Sequence, residues 1–184
     1  MEKEKQKVEL TLIAEILEYP QEDFHRKLYL CENMLENFDE KIKDLFNNFA
    51  SYAKKSSVEN LQELYVKTFE LNPLCILYAG VHIFGEDSFK RGTFMARLKQ
   101  AYEEYSLENT SDLPDFIPYI LKLAQNLKDK DKYNSLLIEC ILQPLESIVS
   151  TFKDDTNPYR SLIQSIQGIT KCNLMHKVQE AQNV

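Results

Sequence analysis

Ile42–Ala53, IKDLFNNFASYA, places Ile42, Leu45, Phe46, Phe49, Ala50 and Ala53 at helical spacing with no mismatch to the 3.6-residue period. A stripe of this kind covers one face of an α-helix and leaves the opposite face to Lys43, Asp44, Asn47 and Asn48. The same pattern extends in both directions. Leu10, Ile13, Ala14 and Leu17 predict a short first helix that stops near Tyr19-Pro20, because a residue before proline resists the helical region. A second helix is expected from about Glu22 to Leu35. Downstream, Ser56 and Glu59 have the spacing of a capping box for a helix carrying Val58, Leu61, Leu64, Tyr65, Thr68 and Phe69.

Asn72-Pro73 interrupts that helix, and LCILYAGVHIF resumes as a segment apolar nearly all round, expected to run through the middle of a bundle and to end at Gly85. Phe94, Leu98, Ala101, Tyr102 and Tyr105 form the next stripe, followed by the loop-like LENTSD of residues 107–112. Asp112 has the character of an N-cap with Pro114 just inside, ahead of Ile117, Ile120, Leu121 and Ala124. The charge run LKDKDK reads as solvated. Leu137, Ile141, Leu145, Ile148 and Phe152 imply a long helix that Pro144 kinks or divides. Asn157-Pro158 begins a last helix through Leu162, Ile166 and Ile169, with a polar tail after Gly168 that is expected to fray. The reading is one all-α domain over residues 1–184, a bundle of roughly eight helices. The scarcity of turn residues, four Gly and six Pro in 184, agrees with long helices rather than a sandwich or barrel.

A formal charge of −7 disfavours binding to a phosphate backbone, so nucleic acid is not an expected partner. No run approaches the eighteen apolar residues of a membrane span, and MEKEKQKVEL lacks the apolar core of a signal peptide. Cys31, Cys75, Cys140 and Cys172 are far apart and sit in apolar patterns, which reads as reduced thiols in a cytoplasmic protein.

Candidate chemistries fail on count. Gly80, Gly85 and Gly92 are spread through helical sequence and form no phosphate-cradling loop. Glu22 to His25 is the lone Glu-x-x-His pair, and His82 and His176 have no glutamate three residues before them, so no metal is expected. On a continuous helix Cys75 and His82 would stand two turns, about 11 Å, apart, too far for proton transfer. No catalytic residue and no cofactor is expected, and His25 reads as an exposed side chain. Tyr65 and Phe69, four apart, stack on one helix face and by periodicity alone are core residues.

At these same positions the chain resembles the nitrate reductase assembly chaperones of the NarJ type, within the broader TorD group of molybdoenzyme maturation chaperones. The matching pieces are LYVKTFELNP from Leu64 to Pro73 with Leu77 and Tyr78, then Gly85, Lys90-Arg91-Gly92 and Arg97-Leu98-Lys99, and finally Leu113-Pro114-Asp115 with Pro118. That branch commonly has Phe-Asp where this chain has Phe69-Glu70, and GEDSF forms a polar insert between the motifs. The resemblance implies a TorD-like helical fold. It also implies a non-enzymatic protein that binds the apo catalytic subunit of a molybdoenzyme through its N-terminal segment, before the molybdenum cofactor is inserted. On that basis Tyr65, Phe69, Pro73, Tyr78, Leu113, Pro114, Pro118 and Tyr119 are expected to line or support a peptide groove, with Glu70 and Asp115 as polar anchors. Arg91 either pairs with one of these acids or is a surface charge. A monomer is expected, a helix-swapped dimer being the alternative. A helical scaffold or regulator for an unrelated protein would share every compositional feature, and an enzyme is the remaining class.

Overall fold

The computed structural model describes residues 9–36, 38–71, 73–107 and 112–182. Residues 1–8, Asn37, Asn72 of the expected helix break and 108–111 of the expected loop lie outside these, as do the last two residues.

The described residues are all-α, in ten helical segments: α1 Leu10–Leu17, α2 Phe24–Leu35, α3 Glu40–Ala53, α4 Val58–Phe69, α5 Ala79–Phe84, α6 Phe89–Glu104, α7 Ile117–Asn126, α8 Lys130–Leu137, α9 Gln143–Thr151 and α10 Pro158–Gln182. A π-helical turn, Ile138–Leu142, joins α8 to α9 and resolves the Pro144 problem by dividing the expected long helix. Its stripe survives the division: Leu137, Ile141, Leu145, Ile148 and Phe152 are all buried. Within LKDKDK, Asp129 is an N-cap, its Oδ1 accepting from Asp131 N at 2.9 Å and Lys132 N at 3.0 Å. Asp39 does the same for α3, accepting from Lys41 N and Ile42 N. The α4 cap falls one residue later than its sequence pattern suggests, because Ser57 Oγ accepts from Asn60 N while the Ser56 hydroxyl turns back to Tyr52 O.

Two expectations change more substantially. Leu74–Tyr78 is not helical: the backbone there pairs antiparallel with the turn before α7, through Ala79 N to Asp115 O and Ile117 N to Leu77 O, both 2.8 Å. The apolar segment is therefore cut short, and α5 is a six-residue helix ended by Gly85 at φ +88°, not the centre of the bundle. Second, α7 starts at Ile117 with Phe116 at the cap position and Pro118 in its first turn, and Asp112 caps nothing there. The last helix, α10, runs through Gly168 to Gln182. Gly168 is a close-approach residue: a Cβ there would lie 2.6 Å from Ile42 Cγ1 on α3, the helix against which α10 packs most extensively.

That contact yields a prediction. Gly168→Ala should destabilise the fold by about 1–3 kcal/mol through overpacking. Adding Ile42→Ala should cost less than it does in the wild-type background, and denaturant unfolding of the two single variants and the double variant measures the coupling.

The core contains an aromatic column. Phe24 stacks on Phe49 (6.3 Å between centroids), Phe49 on Tyr159 (5.2 Å), and Tyr159 on Phe69 (4.9 Å) and Tyr65 (6.0 Å), and Tyr65 meets Tyr19 at the surface (5.6 Å). Tyr65 and Phe69 are core residues, at 3% and 5% exposure, as periodicity implies, and they also end the column at a surface depression.

Candidate functional site

The depression is a cleft of about 320 Å³ lined by Glu18, Tyr19, Gln21, Tyr65, Phe69, Glu70, Leu77, Tyr78, Asp112, Phe116, Tyr119 and Lys122. Tyr65 and Phe69 of α4 form its floor, their rings 5.0 Å apart. One wall is the short bridge, which presents Leu77 and Tyr78 on one strand and Phe116 on the other, with Tyr119 in the first turn of α7. Tyr78 and Phe116 pack at 5.7 Å, and Phe116 meets Tyr119 edge-on at 5.2 Å. The other wall is the stretch after α1, where Tyr19 remains 38% exposed. A salt bridge from Lys122 Nζ to Glu18 Oε1 (2.5 Å) ties the two walls together.

Polarity is concentrated at the rim. Tyr78 donates its hydroxyl to Asp112 Oδ1 at 2.7 Å, and Glu70 is exposed at the end of α4. Three carboxylates and one ammonium line the cleft, and the ammonium is already paired with Glu18. The site therefore favours a cationic or neutral ligand over an anionic one. Burial pushes the phenols of Tyr65 and Tyr78 above the ordinary tyrosine range, with the Asp112 hydrogen bond adding to the effect at Tyr78. Both remain neutral hydroxyls at physiological pH.

Five of the expected residues meet here: Tyr65, Phe69, Glu70, Tyr78 and Tyr119. The others do not line the cleft. Asp115, expected as a polar anchor, is fully buried and accepts from Arg91 Nε at 2.8 Å and Nη2 at 3.4 Å. Arg91 is correspondingly 9% exposed, so of its two alternatives pairing is the one realised. Pro118 is buried in the first turn of α7, Pro114 is half-buried, and Pro73 and Leu113 face solvent. Asp112 takes the acidic rim position instead, and Glu18, Tyr19, Gln21, Leu77, Phe116 and Lys122 are additions. In the sequence, Tyr19 is legible only as a helix stop before Pro20.

Elsewhere the titratable groups are tied into the fold. His25 is half-buried, contrary to expectation, and its Nε2 donates to Ala53 O and Ser56 O at the end of α3. His82 Nε2 donates to Ile76 O at 2.8 Å, leaving Nδ1 to accept from Ser147 Oγ at 3.0 Å. Among the described residues, no group of three or more His, Cys, Asp and Glu side chains is placed to hold a metal ion. No helix of these residues is long and apolar enough to cross a membrane.

Cys31, Cys75 and Cys140 are buried free thiols and Cys172 is partly exposed. Burial pushes Cys75 up to about 12 against a Thr151 hydrogen bond that acts the other way, and pushes Cys140 up to about 12 with help from Glu139. Neither is a thiolate at neutral pH. Iodoacetamide mass spectrometry should show Cys172 alkylated first and the other three only on unfolding. Because the folded values lie above the ordinary 9.0, the contribution of these two thiols to stability is complete below pH 9 and is lost as pH rises from 9 to 12.

A family model described as nitrate reductase delta subunit matches residues 35–161, more than half of the chain. The matched span contains the floor and the bridge wall of the cleft, whereas Glu18, Tyr19 and Gln21 precede it. The chain matches no curated protein significantly.

Proposed function

Since the chain belongs to the nitrate reductase delta subunit family, we propose that it is a NarJ-type assembly chaperone which holds the N-terminal segment of the apo nitrate reductase catalytic subunit in this cleft. It acts in the cytoplasm as a single-domain monomer without catalysing a reaction, and keeps its client open until the molybdenum cofactor is inserted. The observation that carries the reading is the aromatic floor of Tyr65 and Phe69 beneath a rim of Glu70 and Asp112.

The physical logic is that of a marginal amphipathic segment. Such a segment does not hold a helix alone in water, and burying its apolar side chains offsets part of the entropy of ordering it. At about 320 Å³ the cleft lies near the small end of the range for ligand sites, roughly 300–1,000 Å³. That volume suits one or two anchoring side chains rather than a whole helix, with basic residues beside them facing Glu70 and Asp112. Prolines 114 and 118 flank the bridge wall and limit its freedom before a ligand arrives.

Calorimetric titration with a synthetic N-terminal peptide of the nitrate reductase catalytic subunit tests this. Saturable one-to-one binding is expected, weakened at least about tenfold by Tyr119→Ala, which removes a wall aromatic. Absence of heat and of any shift in thermal unfolding with the peptide would overturn the reading. A helical scaffold serving an unrelated protein would give that negative result.

A further inference from the structure

We propose that Arg91, Asp115 and Gly80 are positioning residues of the cleft: none of them touches the bound segment, and together they hold the wall that does. The inference rests on the functional reading above and changes the role of Asp115 and Arg91 from ligand contacts to supports.

The geometry converges on the turn before α7. Asp115 is anchored twice, its carboxylate to Arg91 on α6 and its carbonyl oxygen to Ala79 N. Its neighbour Pro114 accepts from the Tyr102 hydroxyl, also on α6, at 2.7 Å. Arg91 Nη1 additionally donates to Glu86 O in the loop between α5 and α6. The guanidinium carbon then lies 5.9 Å from the centre of the Tyr78 ring, and Tyr78 carries the hydroxyl that fixes Asp112 at the rim. The path from ion pair to cleft is one side chain long.

The design favours geometry over stability. A buried ion pair is often no more stabilising than well-packed apolar residues, but the rigid fork of arginine sets distance and orientation. Gly80 makes the pair possible. A Cβ at that position would stand 2.6 Å from Asp115 Oδ2 and 2.8 Å from Arg91 Cγ, so α5 carries a poor helix former where the carboxylate passes.

Arg91→Met and Arg91→Lys, made in the full chain, separate positioning from contact. Titration with the N-terminal peptide of the catalytic subunit should weaken about tenfold or more for Arg91→Met and recover in part for Arg91→Lys, which keeps the charge without the fork. Hydrogen exchange followed by mass spectrometry should show, in the peptide-free Arg91→Met protein, lost protection at Ala79 and Ile117 with α3 and α10 unchanged. Weakened binding with those amides still protected would identify direct contact and overturn the proposal. Full affinity with the bridge open would overturn it equally. If Arg91→Met does not fold, Arg91→Lys and Tyr102→Phe, which severs the Pro114 tie, carry the same comparison. Failure of the wild-type protein to bind the peptide would reject the functional reading, and retained protection at the bridge in the variants would still reject this one.

Discussion

Gly80→Ala is expected to lower the unfolding free energy by about 2–4 kcal/mol, although the same substitution one helix later should raise it. Alanine gains up to about 1 kcal/mol over glycine in a helix interior. At Gly80 that gain is outweighed, because the new methyl group would stand 2.6 Å from Asp115 Oδ2. The carboxylate must then leave Arg91, and breaking a buried pair costs about 3–5 kcal/mol. Gly92 on α6 is the control: a Cβ there meets nothing within 4 Å, so Gly92→Ala should stabilise by about 0.5–1 kcal/mol. Urea unfolding of the two variants checks both signs. Equal behaviour of the two variants would mean that Asp115 and Arg91 can separate freely.

The second large effect is on binding. The double variant Glu70→Lys/Asp112→Lys should weaken a basic N-terminal peptide on the order of a hundredfold, each reversal replacing attraction by repulsion at the rim. Asp112 belongs in that test and Asp115 does not, since Asp115 is sealed against Arg91. Lys122→Glu should have the opposite sign, freeing Glu18 and adding a carboxylate to the cleft wall. Titrations at low and high salt give a further check, as the differences between variants should shrink when rim charges are screened. Affinity unchanged in the double variant would remove the electrostatic part of the proposed recognition and leave only the aromatic floor.

The helices were legible in the sequence wherever one face is buried and the other wet. Ile42–Ala53 is the clearest case, with Ile42, Phe46, Phe49, Ala50 and Ala53 buried and Leu45 half-buried at the edge of the stripe. Leu74–Tyr78 was illegible because apolar composition does not tell a buried helix from a short extended pairing, and the pairing partner near Phe116 is remote in sequence. The close crossing at Gly168 was not readable, since only the neighbouring helix shows that a glycine is a contact residue. Tyr65, Phe69, Glu70, Tyr78 and Tyr119 were found through a family resemblance, while Glu18, Tyr19, Gln21 and Lys122 reach the cleft by the packing of α1 on α7, which no local pattern records. Asp115 was misplaced for a related reason. An acid beside a proline turn is usually wet, and its arginine lies twenty-four residues away.

The modest volume of the cleft also has a kinetic meaning. A binder that seats only one or two side chains in an open hollow dissociates readily, since differences in affinity among related complexes reside mainly in the off-rate. For a protein whose proposed task ends in handing its client over, loose seating eases departure: the folding of the mature enzyme can withdraw the segment by competing for it.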